Sequence, residues 1–122
     1  GKEEAIRAAG ALLAACGYVD GEYAEAMVAR ERVATTYLGM GIAIPHGTAE
    51  AKSRIRRSGI VVMQYPEGVD FGEERAQLVI AGAGDEHIEI LARVTSALED
   101  EEVLRRLKTT DDPRYILEKL AI

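Results

Sequence analysis

Two stretches of this chain are apolar almost without a break: SGIVVMQY, residues 58–65, and AQLVIAGAG, residues 76–84. A strand with one wet face alternates polar and apolar side chains. A short continuous apolar run bounded by glycine or proline reads instead as a strand buried on both faces. The first run is bounded by glycine and by Pro66, and PEGVDFG after it has turn chemistry. Such strands need covering layers, and the remainder of the chain supplies them.

KEEAIRAAGALLAAC places Ile6, Ala9, Leu12, Leu13 and Cys16 at helical spacing, and Gly17 stops it. DGEYAEAMVARERV is a second helix opened by Asp20, with Tyr23, Ala26, Met27 and Arg30 on its inward stripe. TTYLG leads into a strand at IAIPH. DEHIEILARVTSALED is a helix with Asp85 as N-cap and Ile88, Leu91, Thr95 and Leu98 facing inward. DEEVLRRLKT and DPRYILEKLAI are two further short helices. Mixed helices and buried strands predict an α/β layered sandwich, a sheet covered by helices. At 122 residues, one domain over 1–122 is expected.

Composition excludes some functions. The formal charge of −6 argues against nucleic-acid binding, which needs a basic face, and allows a partner with a basic surface. No apolar stretch approaches the roughly 20 residues of a membrane span, and no signal-peptide pattern opens the chain. The one cysteine, Cys16, forms no internal disulfide, which suits a reducing compartment. Its place on the apolar stripe predicts a buried structural thiol.

Three residues stand out for chemistry. His46 is one of two histidines and sits in GIAIPHGTAE, where the β-branched run ends at Pro-His-Gly. Proline fixes its own φ and glycine permits a sharp turn, so the bend is rigid and aims an imidazole off the strand end. His87 lies in the first turn of its predicted helix, where the partial positive charge disfavours an imidazolium and the open N–H groups favour an anion. Arg30 continues an apolar stripe, while Arg32, two positions on, faces another side. Each also has a plain structural reading: a satisfied turn histidine, a surface histidine at a helix start, and an ordinary ion pair or snorkelling stem. There is no Gly-x-Ser-x-Gly elbow, no HxxxH or CxxC spacing for zinc, no Walker A loop and no GxGxxG. What remains is histidine as the nucleophile itself, with an arginine and a helix-terminal histidine suited to phosphoryl oxygens.

The stretch ERVATTYLGMGIAIPHG, Glu31 to Gly47, resembles the phosphorylation-site signature of the mannitol/fructose-type enzyme IIA domains of the bacterial phosphoenolpyruvate-dependent sugar phosphotransferase system. Glu31 supplies the signature's acidic or amide residue, Leu38-Gly39 its apolar residue and glycine, and Ile42 to Gly47 its apolar-Ala-apolar-Pro-His-Gly ending. EAIRAAG, GYVDGEYAEAMVARE, TYLG, GTAEAK, QYPEGVDFG and DEHIEIL resemble the mannitol branch, so the likeness covers nearly the whole chain. Family members begin with a strand ahead of the first helix. Here that strand is absent or lies outside a sequence that starts at GKEEAIRAAG. The segment between FGEE and DEHIEIL is also short for the mannitol branch.

The resemblance implies an α/β sandwich with a mixed sheet flanked by helices on both faces, and no metal or organic cofactor. It makes His46 the phosphoacceptor, His87 the second active-site histidine, Arg30 the active-site arginine and Gly47 the residue that lets the backbone approach the phosphoryl group. The implied function is that of a cytoplasmic phosphotransferase component. It accepts a phosphoryl group from phospho-HPr on Nε2 of His46 and passes it to a cysteine of an enzyme IIB domain, whose IIB–IIC partner phosphorylates mannitol on uptake. The rival readings are a regulatory IIA-like module that signals by His46 phosphorylation, and a non-enzymatic anion- or partner-binding domain.

Overall fold

Strand β4, Glu74–Ala83, is the axis of the fold. In the computed structural model, which describes residues 1–84 and 86–120 apart from the side chains of residues 86–88, 90 and 98, its residues 78–83 are all buried. On one side β4 pairs parallel with β2 (Ile42–Ala43), which pairs antiparallel with β1 (Tyr37–Gly39). On the other it pairs antiparallel with β3 (Gly59–Phe71). The order is β1-β2-β4-β3, a mixed four-stranded sheet.

Side chains of a strand alternate between faces, and here each face meets its own helices. Val79, Ala81 and Ala83 join Ala43 in a core with Ile6, Ala9 and Leu13 of α1 (Lys2–Ala15) and Tyr23, Met27 and Val28 of α2 (Tyr23–Val33). Leu78 and Ile80 join Ile42 and Ile44 in a second core with Val94, Leu104, Leu107 and Leu120. Those four come from α3 (Glu86–Leu98), α4 (Glu101–Thr109) and α5 (Pro113–Leu120). The expected α/β sandwich, with helices on both faces of the sheet, is the one observed. α1 and α2 touch closely: a Cβ on Gly10 would lie 2.5 Å from the Cβ of Ala24, so only glycine permits this approach.

Several local expectations need correction. β3 does not end at Pro66 and is not buried on both faces. It is an edge strand of 13 residues, mostly half-buried, and continues to Phe71. Its pairing with β4 breaks between Gln64 and Val69, where a proline without an N–H costs the ladder nothing. The PEG segment is therefore an irregularity within β3, and the chain turns at Gly72 and Glu73. Cys16 is exposed, not buried, because α1 ends one residue earlier and Gly17 (φ +81°) carries the chain away from the stripe. Leu12 is also exposed, and Ala5 and Gly10 take inward places beside Ile6, Ala9 and Leu13. α2 begins at Tyr23, and Asp20 precedes it as a turn residue whose Oδ1 accepts the N–H of Glu22 at 2.9 Å. In α3 the inward residues are Val94 and Ala97, while Leu91 and Thr95 are exposed. The hydroxyl of Thr95 donates to the Leu91 carbonyl of its own helix at 2.7 Å and needs no place inside. Asp85 and the side chains of Ile88 and Leu98 lie outside the described residues.

Candidate functional site

β2 sits beside the buried strand β4, and its continuation carries His46. The chain runs from Ile44 and Pro45, both buried, into the bend at His46 and Gly47. The Gly82 N–H donates to the Pro45 carbonyl at 3.2 Å, and His46 forms a parallel bridge with Gly82. The bend predicted from Pro-His-Gly is thus moored to the C-terminal part of the central strand. His46 itself is half-buried.

The ring is oriented by the residue two positions earlier. Nδ1 of His46 lies 3.1 Å from the Ile44 carbonyl. A carbonyl only accepts, so Nδ1 is assigned the proton, and in the neutral ring Nε2 then holds the lone pair. The bend is also held from α2. The Gly47 N–H donates to the Tyr23 hydroxyl at 2.9 Å, and that hydroxyl donates in turn to the Gly82 carbonyl at 3.5 Å. Tyr23 is 2% exposed, and burial raises its pKa above the ordinary tyrosine value although the Gly47 N–H acts in the opposite sense. The phenol stays neutral and serves as a latch. A Cβ on Gly47 would come within 2.6 Å of the Tyr23 ring, so the missing side chain at 47 makes room first for Tyr23.

His46, Gly47, Arg30 and Tyr23 line one cavity of about 570 Å³, together with Lys52 and Ser58. Arg30 and His46, singled out independently from a helical stripe and a Pro-His-Gly bend, meet here. Nη1 of Arg30 donates to the Ala34 carbonyl at the end of α2, 2.8 Å away, which holds the guanidinium over the helix C-terminus. Arg32 points elsewhere and binds Glu3 through two hydrogen bonds of 2.9 Å. The cavity reaches Gly84, just ahead of α3. His87 falls in the first turn of that helix, and its side chain lies outside the described residues.

The chemistry of the wall is one-sided. Arg30 and Lys52 are cations, Thr48, Ser58 and Tyr23 carry hydroxyls, and among the described residues that line it no carboxylate occurs. In a chain with 21 acidic side chains against 15 basic ones, that selects for an anion. Sequence reasoning did not find Lys52 or Ser58, and it placed Tyr23 in the core without a role for its hydroxyl. Among the described residues no group of histidine, cysteine and carboxylate side chains is placed to hold a metal ion, and no helix is long and apolar enough to cross a membrane.

The family model for the phosphoenolpyruvate-dependent sugar phosphotransferase system, EIIA 2, matches residues 1–121. The chain belongs to that family. Among similar proteins, the mannitol-specific EIICBA component of Escherichia coli (strain K12) is 52% identical over 98% of this enzyme IIA chain, which spans 20% of that relative's length. The mannitol-specific phosphotransferase enzyme IIA component of Halalkalibacterium halodurans is 42% identical over 95% of the chain and is 81% covered by it. A chain in the NMR structure of the complex of enzyme IIA-Mtl and phosphorylated enzyme IIB-Mtl from Escherichia coli superposes with a TM-score of 0.89. Its identity is 51%, and the match covers 98% of this chain and 87% of that one. The mixed sheet and its helical layers are thus those of the enzyme IIA fold.

Proposed function

We propose that this enzyme IIA chain is the phosphocarrier of a mannitol phosphotransferase system. It takes a phosphoryl group from phospho-HPr on Nε2 of His46 and delivers it to a cysteine of an enzyme IIB domain, on the cytoplasmic side of a IIB–IIC permease. The observation that carries this reading is the fixed imidazole in a cationic cavity without a carboxylate among the described residues that line it: Nδ1 of His46 on the Ile44 carbonyl, with Arg30 and Lys52 in the same wall. The mannitol systems named among its relatives, and the complex of one of them with phosphorylated IIB, supply the sugar class and the acceptor.

The transfer balances without a cofactor. The Nε2 lone pair attacks phosphorus, the nitrogen–phosphorus bond of the donor phosphohistidine breaks, and its electron pair stays on the donor imidazole. Nδ1 keeps its proton on the Ile44 carbonyl throughout. In the second step the thiolate sulfur of IIB attacks phosphorus and His46 leaves with the electron pair. Arg30 and His87 stabilise the charge on the equatorial oxygens during in-line displacement, and Gly47 keeps the bend slim enough for the group to approach.

Incubation with enzyme I, HPr and labelled phosphoenolpyruvate tests the reading. Label on His46 that moves to an added IIB domain of the mannitol system is the expected result. Label that no IIB domain accepts makes the chain a regulatory module, and no label at all makes it a binding domain.

A further inference from the structure

The signature that contains the Pro-His-Gly bend begins at Glu31, and nothing in the transfer uses that residue. Its surroundings are unusual for a carboxylate. Glu31 is 4% exposed. Its Oε1 accepts the Thr35 hydroxyl at 2.8 Å and the Thr36 N–H at 2.9 Å. Its Oε2 accepts the Thr36 N–H and the Thr36 hydroxyl, both at 2.8 Å. The ammonium of Lys2 stands 3.5 Å from Oε1. A buried carboxylate is costly unless hydrogen-bonded and paired, and here it has both.

What the carboxylate grips is the backbone that leads to the site. The Thr36 carbonyl accepts the N–H of Ile44 at 3.0 Å. Ile44 is the residue whose own carbonyl orients Nδ1 of His46. Glu31 therefore ties α2 to the strand that carries the histidine, two steps from the ring. On the helix side its neighbour in the chain is Arg30, which lines the cavity with His46. One side chain is anchored next to the arginine and holds the backbone that aims the imidazole.

We propose that Glu31 is a positioning residue that sets the separation of Arg30 and His46 and keeps the His46 ring on its Nδ1–H tautomer. The inference rests on the reading of His46 as phosphoacceptor, and it assigns a role to the acidic-or-amide position of the signature. A leucine at 31 fits the bulk but accepts no hydrogen bond, so the Thr36 N–H loses its acceptor and the strut loosens without losing its volume, whereas an amide, which the signature admits, keeps an oxygen for that N–H.

The test uses Glu31→Leu and, as a milder probe, Thr36→Val, which keeps both backbone bonds to the carboxylate and removes only the hydroxyl. Rapid-mix phosphorylation by phospho-HPr is measured at several donor concentrations, and the His46 tautomer is read from imidazole ¹⁵N shifts in the unphosphorylated protein. A misplacement of the order of 1 Å costs about 100-fold in rate. The maximal rate of Glu31→Leu should fall about 10- to 100-fold with an unchanged half-saturating donor concentration, because the residue is buried away from any partner. The ring should shift toward a mixture of tautomers. Thr36→Val should show the same pattern to a smaller extent, and decides the matter if Glu31→Leu does not fold. Full maximal rate with an unchanged tautomer, whatever happens to the melting temperature, makes Glu31 purely structural and overturns the proposal. Should the wild-type protein itself accept no phosphoryl group, the carrier reading falls, and the ¹⁵N tautomer of the two variants still decides whether Glu31 positions the ring.

Discussion

The Tyr23 hydroxyl and the Gly47 N–H meet at 2.9 Å, across 24 positions of sequence. This bond joins the first residue of α2 to the bend that presents His46. Tyr23→Phe removes the acceptor and leaves the Gly47 N–H without its protein partner in a partly buried site. A buried donor left unsatisfied costs about 1–3 kcal/mol, and a chemical-denaturation midpoint should fall accordingly with an unchanged slope. The buried phenol also carries a pH signature. Burial raises the folded-state pKa of Tyr23 above the unfolded value, so the folded protein holds the phenol proton more tightly. That contribution to stability is complete below about pH 10, the ordinary tyrosine value, and is lost as pH rises through the folded-state value. Tyr23→Phe should flatten the alkaline part of the stability curve by this amount, and an equally steep fall in the mutant places the titrating group elsewhere.

Gly47→Ala tests the other half of the same contact. Its Cβ would lie within 2.6 Å of the Tyr23 ring carbons and 2.7 Å of the hydroxyl. The ring is buried and has little room to retreat, so either it or the bend must move. Overpacking of this kind costs about 1–3 kcal/mol. Phosphoryl acceptance should fall together with stability. Pairing Gly47→Ala with a smaller residue at 23, Tyr23→Leu, should recover part of the stability but not the latch.

How much of this was open to a sequence reader depends on how far each signal reaches along the chain. The Pro-His-Gly bend and the Arg30 stripe are local patterns, and they correctly brought two side chains to one cavity. The layered α/β class followed from continuous apolar runs among helical periods, and the sheet bears it out. Edge position is different. Whether residues 59–71 lie in the middle or at the rim of a sheet depends on strand order, which no run of residues states, so the apolar run alone predicts a strand shorter and more buried than β3 is. The inward face of α3 failed for a related reason. Leu91 and Thr95 fit a helical period as well as Val94 does, and only the packing against β4 and α5 chooses between them. The roles of Tyr23 and Glu31 were hidden because their partners are identified by fold: a tyrosine on an apolar stripe looks like core, and its hydroxyl becomes informative once Gly47 and Gly82 stand beside it.

His46→Ala should abolish phosphoryl acceptance and leave the fold intact, because the half-buried ring makes its described bond to a carbonyl of its own bend. The adduct on the wild-type protein should be a phosphoramidate, which loses phosphate in acid and survives alkali. Mass spectrometry after acid and base treatment reads both points. Acid-stable label, or label retained in His46→Ala, moves the acceptor to another residue.

We propose His87 as the second histidine of the site; it falls at the start of α3. In this proposal a neutral imidazole would donate to a phosphoryl oxygen without gripping it as a full cation would, which a carrier needs if the group is to leave again. His87→Ala should still be phosphorylated on His46, with slower transfer, most severely to the IIB cysteine. His87→Gln keeps a donor and should recover part of the loss. Wild-type rates for His87→Ala in both steps would reduce it to a surface histidine at a helix start.

The sharpest contrast lies between two arginines on one helix. Arg30 lines the cavity with His46 and donates to the carbonyl of Ala34, the residue that follows α2. Arg32 is paired with Glu3 on the surface through its Nε and Nη2. The two carry the same charge, stand two positions apart, and so separate a local field effect from a general one. Arg30→Lys keeps the charge but replaces a planar fork by a compact ammonium, losing bidentate contact with phosphoryl oxygens. Transfer from phospho-HPr should slow by about 10-fold or more, in line with the loss of one charge-assisted hydrogen bond in the transition state. Arg32→Lys breaks a solvent-exposed pair whose measured counterparts contribute little, and its transfer rate should match the wild type. Both variants are compared at one ionic strength, since a long-range field from either arginine would be screened by salt. Equal slowing at the two positions would mean that net charge on α2 matters and that the place of Arg30 in the cavity does not.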